Sequence, residues 1–162
     1  MSIRYAIQTK ETNCVPVAVF NMLSWAGISL SATKDLAVME GLMDTDANGT
    51  PLEYMFHFVE EFWDDYVSVK RMRTPTTDKI KREMKNGKSV FIDWKWDEKS
   101  QEGPIGHFFF ISGFHKNKFA VHNITFSDKP TILMTEKQLC FFLGIDDFFG
   151  SGNAVYICEK RN

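Results

Sequence analysis

Four residues of this 162-residue chain have the types that thiol-based acyl transfer requires: Gln8, Cys14, His107 and Asn123. Such a reaction needs a nucleophile, a base to take its proton, a group to orient the base and donors for the oxyanion. Cys14 follows Gln8 by six residues and opens an apolar stretch that reads as a helix. A thiol at a helix N-terminus is shifted toward thiolate by the unpaired backbone N–H groups and the positive end of the dipole. The same helix end can host an oxyanion. His107 follows Gly106 at a loop-to-strand junction, where a side chain can project into a cleft. Asn123 lies on the next strand, and its side-chain oxygen can accept an imidazole N–H and fix the tautomer. The Gln8 amide, folded back beside the Cys14 N–H, would supply an oxyanion donor worth roughly 2.7–4 kcal/mol.

Each residue taken singly has a plainer reading. Free cysteines are among the most buried residue types. A glutamine before a helix is usually solvated, a histidine at a strand start is usually structural, and an asparagine near a strand end is usually turn chemistry. Order and spacing along the chain make the combined reading the stronger one. The other candidates are weaker. Cys140 (QLCFFL) and Cys158 read as core. His122 should face the side of the sheet opposite Asn123, His57 sits mid-helix among apolar residues, and His115 lies in a polar turn.

The elements that would position the four residues follow from local signals. Residues 14–26 (CVPVAVFNMLSWA) read as a buried central helix, with Thr12 or Asn13 as cap, Pro16 in the first turn and Gly27 past the end. Ser31 would cap a second helix over 32–43. Thr50-Pro51-Leu52-Glu53 opens a third, running to Asp65. Strands follow at 67–72 and 89–96, separated by a short helix over 78–85. Residues 107–114 and 119–125, joined by HKNK, read as an antiparallel hairpin. Alternation puts His107, Phe109 and Ile111 on one face of their strand, and Phe119, Val121 and Asn123 on one face of the next. Thr135 and Gln138 make a capping box for a short helix through Leu143, the loop GIDDFFGSG follows, and 154–159 is a final strand. Helices first and then an antiparallel sheet is the α+β pattern, expected as a single domain over 1–162.

Composition narrows the function classes. The chain is 44% hydrophobic and 25% charged, as an ordinary folded domain is. A net charge of −2 offers no field for holding phosphate backbones, so nucleic-acid binding is not expected. No apolar run approaches the ~20 residues needed to span a bilayer, so no membrane partner is expected. Three widely spaced cysteines without a CxxC pair indicate neither a disulfide framework nor a zinc site. With no secretory signal in MSIRYAIQTKETN, a reducing cytoplasm is the expected location. No HExxH or glycine-rich phosphate loop is present, and no metal or organic cofactor is expected.

Glutamine six residues before a helix-opening cysteine, Gly106-His107 before an apolar strand, and asparagine on the following strand resemble the papain-like cysteine peptidase superfamily. Within it, the likeness is to the compact bacterial branch typified by the double-glycine leader peptidase domains of bacteriocin exporters. The segment NGKSVFIDWKW…GHFFFISGFHKNKFAVHNI carries much of it. The resemblance implies a papain-like fold, with Cys14 as nucleophile, His107 as base, Asn123 as orienting residue and Gln8 as oxyanion-hole donor. Two positions depart from the pattern. Val15 stands where the family has glycine, and Asn123-Ile124 stands where this branch has Asp-Pro. The expected activity is hydrolysis of an amide bond in a protein or peptide substrate: a peptide bond, an isopeptide bond or a side-chain amide. The alternatives are a non-catalytic binding or inhibitory module on the same fold, or acyl transfer through the same thioester.

Overall fold

In a computed structural model of the chain, residues 4–94, 106–123, 129–143 and 154–161 are described. The strand ends expected at 95–96 and 124–125 and the loop GIDDFFGSG lie outside them, as does the polar loop before Gly106. The central helix α1 spans Cys14–Ala26 and follows directly on one 3-10 turn, Glu11–Asn13. Every residue from Val15 to Trp25 is buried, as expected of so apolar a run. The helix stops where Gly27 adopts φ 98°, a left-handed conformation that costs glycine little. The Ile28 N–H then closes back on the Leu23 carbonyl at 3.0 Å.

Helix α2 (Asp35–Leu42) begins later than the expected 32–43. Ser31 holds a separate turn ahead of it: the Lys34 N–H donates to the Ser31 hydroxyl, and the Ser31 N–H donates to the Asp35 carboxylate at 2.6 Å. Helix α3 (Leu52–Trp63) starts at Pro51, not at a Thr50 cap, because the Thr50 hydroxyl is bonded to that of Thr45 at 2.7 Å. Met55, Phe58 and Val59 form its buried stripe.

The strands are β1 (Val67–Arg71), β2 (Ser89–Trp94), β3 (His107–His115), β4 (Lys118–His122), β5 (Ile132–Met134) and β6 (Ala154–Lys160). Helix α4 (Thr77–Lys85) precedes β2 and α5 (Glu136–Leu143) precedes β6. The six strands form one sheet in the order β1-β6-β2-β3-β4-β5, with antiparallel pairing throughout. The fold is α+β, as the order of elements implied. The capping box is made: the Gln138 N–H donates to the Thr135 hydroxyl, and the Thr135 N–H donates to the Gln138 side chain at 2.9 Å. The β3–β4 turn is tighter than HKNK suggested. Lys116 and Asn117, at φ 48° and 61°, make a two-residue turn whose twist suits the flanking strands. Strand β5 was not expected, since three residues are too few to show a period.

Both faces of the sheet are covered. Helices α1, α2 and α3 pack on Phe91, Phe108, Phe110 and Tyr156. On the other face, Ile80 and Met84 of α4 and Leu139 of α5 pack on Val90, Ile92, Phe109 and Val121. This two-sided burial is why β2 and β3 read as unbroken apolar runs and not as alternating strands. Strands β1 and β2 end, and β3 and β6 begin, at one end of the sheet. There Trp94 pairs with His107, and Asp93 is flanked by Phe108 and Ala154. The N-terminus of α1 meets the sheet at this same end.

Candidate active site

The thiol is placed by the first turn of α1 and by the loop before it. That loop is tied to α2 through Glu40, whose carboxylate accepts from Lys10 Nζ at 2.7 Å and from Asn13 Nδ2 at 2.8 Å. Burial alone would raise the Glu40 pKa, but these two donors outweigh it and hold the group below its ordinary value. Asn13, fully buried, directly precedes Cys14, so a carboxylate on α2 fixes the approach to the thiol.

Cys14 is half-buried and lines a cavity of about 370 Å³ together with His107, Asp93, Phe108, Thr50 and Leu52. Burial raises the pKa of its thiol. Hydrogen bonds from the backbone N–H groups of Phe108, Val15 and Cys14 pull it down, and the charge of Asp93 pushes it up again. The net direction is upward. This corrects the expectation of a helix-stabilised thiolate: the N-terminal donors lower the thiol's pKa, but desolvation above all, with a neighbouring carboxylate, overcomes them.

His107 opens β3. Its Nε2 lies 2.7 Å from the backbone carbonyl oxygen of Asn123. A carbonyl oxygen only accepts, so Nε2 carries the proton and Nδ1 keeps the lone pair. No described residue hydrogen-bonds Nδ1, and the ring lines the cavity that holds the thiol. Burial lowers the His107 pKa, partly offset by the Asn123 carbonyl, so the ring rests neutral. The resting pair is therefore thiol and imidazole, not thiolate and imidazolium.

Asn123 meets the His107 ring through its main chain, where its side-chain oxygen was expected to do so. Strand β4 ends at His122, and Asn123 turns to φ 48°, a left-handed conformation that asparagine tolerates. That turn takes it out of the face of Phe119 and Val121. Its Nδ2 donates instead to the Cys14 carbonyl at 3.2 Å and to the Phe108 carbonyl at 3.0 Å. One residue thus brackets the start of α1 to the start of β3 and at the same time holds the imidazole. Its Oδ1 is buried without a hydrogen-bond partner among the described residues.

Gln8 is buried close by, but its donors are not offered to the cavity. Its Nε2 donates to the Lys10 carbonyl at 2.9 Å and to the Glu11 carbonyl at 3.4 Å, which tightens the loop ahead of Cys14. The donors near the sulfur belong to the backbone. The structure therefore brings Cys14, His107 and Asn123 together and sets Gln8 behind them as a brace for their loop. Among the described residues, no group of three or more His, Cys, Asp or Glu side chains is placed to hold a metal ion.

Sequence reasoning missed Asp93, Glu40 and the Phe108 N–H. Asp93 left a signal, as the one charged residue in the strand Ser89–Trp94. Glu40 and Phe108 left none, since their roles arise from contacts across the fold.

No family model and no curated protein matches this chain. Solved structures do. The peptidase domain of Streptococcus ComA, a bifunctional ABC transporter involved in a quorum-sensing pathway, superposes with a TM-score of 0.66 at 13% identity, over 99% of this chain and 100% of that one. A putative C39-like peptidase from Bacillus anthracis gives a TM-score of 0.61 at 10% identity, over 99% of this chain and 96% of that one. The peptidase domain of Streptococcus mutans ComA gives 0.54 at 12% identity, over 94% and 97%. Across essentially its whole length, this chain has the papain-like fold of C39 peptidase domains.

Proposed function

We propose that this protein is a cysteine peptidase in which Cys14 is the nucleophile and His107 the general base and acid. His107 Nδ1 takes the proton of the Cys14 thiol as the sulfur adds to the substrate carbonyl. The oxyanion is met by the backbone N–H groups of Cys14 and Val15 at the first turn of α1, which have no partner within the helix. His107 Nδ1–H then protonates the departing amine as the C–N bond breaks, leaving a thioester on Cys14. Water attacks that thioester, giving its proton to Nδ1, and the acid leaves with the thiol restored. The Asn123 carbonyl holds Nε2–H throughout, so the ring keeps the orientation that aims Nδ1 at the sulfur.

The observation that carries this reading is the shared cavity of Cys14 and His107, with the second ring nitrogen held by Asn123. The test is digestion of a proteome-derived peptide mixture, with new termini identified by mass spectrometry. The wild-type protein is expected to generate new termini, and Cys14→Ala to generate none above background. Equal cleavage by both proteins, or none by the wild type, overturns the reading.

A second reading is a binding module on the same fold. It is favoured by the raised thiol pKa and by Gln8, whose amide is spent on its own loop. Its signature is a wild-type protein that leaves the peptide mixture intact.

A further inference from the structure

The sheet end that carries the candidate site continues past it. Asp93 and Phe108 are cross-strand partners, and Ala154 pairs with Asp93 from the other side. On the next strand Arg71 pairs with Tyr156, and the Met72 N–H donates to the Val155 carbonyl at 2.8 Å, which brings Arg73 level with Ala154. Directly paired residues share a face. Arg71 is therefore on the face of Tyr156 and Phe91, which is the face α1 covers. A second cavity, of about 590 Å³, opens here and is lined by Arg71, Arg73, Thr74 and Ala154. Both arginines are exposed, and neither forms an ion pair with a described residue. Asp93, on the wall of the first cavity, pairs across the sheet with Ala154, on the wall of the second, so the two openings are neighbours, with Tyr156 close by on the same face. Burial raises the Tyr156 pKa, Asp93 raises it further and Arg71 lowers it, so its phenol lies within the field of both charges.

We infer that these cavities are one substrate groove, in which Arg71 and Arg73 receive an acidic side chain of the peptide about four residues from the bond that is cleaved. The inference rests on the peptidase reading and adds a substrate class to it. Three strand intervals separate β3 from β1, about 14 Å at roughly 4.8 Å each, and an extended peptide covers that distance in about four residues. A guanidinium recognises a carboxylate with paired donors, and two side by side favour it further.

The peptide-mixture digestion tests this when cleavage windows are compared between the wild type and the double charge reversal Arg71→Glu/Arg73→Glu. On one side of the bond, Asp and Glu are expected to be enriched several-fold at the third to fifth residues from cleavage by the wild type. The reversal variant is expected to lose that enrichment and to favour Lys and Arg at the same positions, with Cys14-dependent cleavage retained. Cleavage with no acidic preference, or a preference that the reversal leaves unchanged, overturns the inference while the peptidase reading stands. Absence of any Cys14-dependent cleavage overturns both.

Discussion

Two histidines on neighbouring strands, His107 and His122, share most of the features by which a catalytic base is sought, yet their surroundings differ in kind. Both rings are removed from water, both donate to a backbone carbonyl, and burial lowers the pKa of both. His122 Nδ1 faces the Pro130 carbonyl at 3.0 Å, and its Nε2 accepts from the Ser112 hydroxyl at 2.8 Å. Tyr5 packs its ring on His122, with centroids 3.9 Å apart. The ring is fully buried and both its nitrogens are filled, so it fastens the N-terminal segment to β3 and β4. His107 has the opposite tautomer, with Nε2 filled, Nδ1 bonded to no described residue and the ring on the wall of a cavity that also holds a thiol. The contrast teaches that burial and a lowered pKa do not mark a base. What sets His107 apart is its place on the wall of a cavity that also holds a thiol.

The largest effect that would break this comparison is a swap of roles. His107→Ala should lower kcat/KM on a cleaved peptide by roughly 10²–10⁴-fold while the urea midpoint stays close to that of the wild type. His122→Ala should do the reverse: a loss of about 2–4 kcal/mol in stability from the vacated volume and broken bonds, with turnover per folded molecule largely kept. Activity and urea unfolding measured on both variants decide it. A His122 variant that folds normally and has lost turnover would reverse the assignment.

The next effect is acid sensitivity. Burial, partly offset by the Pro130 carbonyl, pushes His122 down to about 4 from an ordinary 6.5. Between those values the unfolded chain binds a proton that the folded chain refuses. The stability contributed by His122 is therefore complete above pH 6.5 and is lost as pH falls toward 4, by on the order of 3 kcal/mol. His107 adds in the same direction. Urea midpoints from about pH 7 down to about pH 4 should fall steeply in the wild type and less in His122→Gln. Equal slopes would show that His122 is not the group responsible.

A smaller effect sharpens the site itself. If Asn123 works as a bracket, Asn123→Asp should be worse than Asn123→Ala, although aspartate is the residue that the resembled branch carries. A carboxylate there would face the Cys14 and Phe108 carbonyls in place of an N–H donor, at a cost of roughly 1–3 kcal/mol. Higher activity in the Asp variant would instead mean that the side-chain oxygen orients His107.

What the sequence disclosed and what it withheld follow from the range of the interactions involved. Helix α1, its stop at Gly27, the Thr135–Gln138 box and the apolar strands are local patterns, and they were legible. So was the grouping of Cys14, His107 and Asn123 at one place, because resemblance and element order carry it. The manner of their contact was not. That Asn123 uses its carbonyl depends on a backbone turn after His122. That Gln8 braces its loop depends on how residues 8–13 close on α2. That the thiol is held protonated depends first on its burial where α1 meets the sheet, and then on Asp93, which lies 79 positions along the chain and reaches the sulfur only through the folded sheet. Desolvation has no local signature, so the helix-terminus argument, sound in water, gave the wrong sign for the thiol.

The claim on which the account stands is that the Cys14 sulfur and His107 Nδ1 face each other across one small space. Treatment with 1,3-dibromoacetone, whose two reactive carbons can bridge a neighbouring thiol and imidazole, tests it directly. Peptide mapping should find Cys14 joined to His107 and no adduct on His122. Cys14 alkylated without a bridge, or bridged to any residue other than His107, would contradict the account.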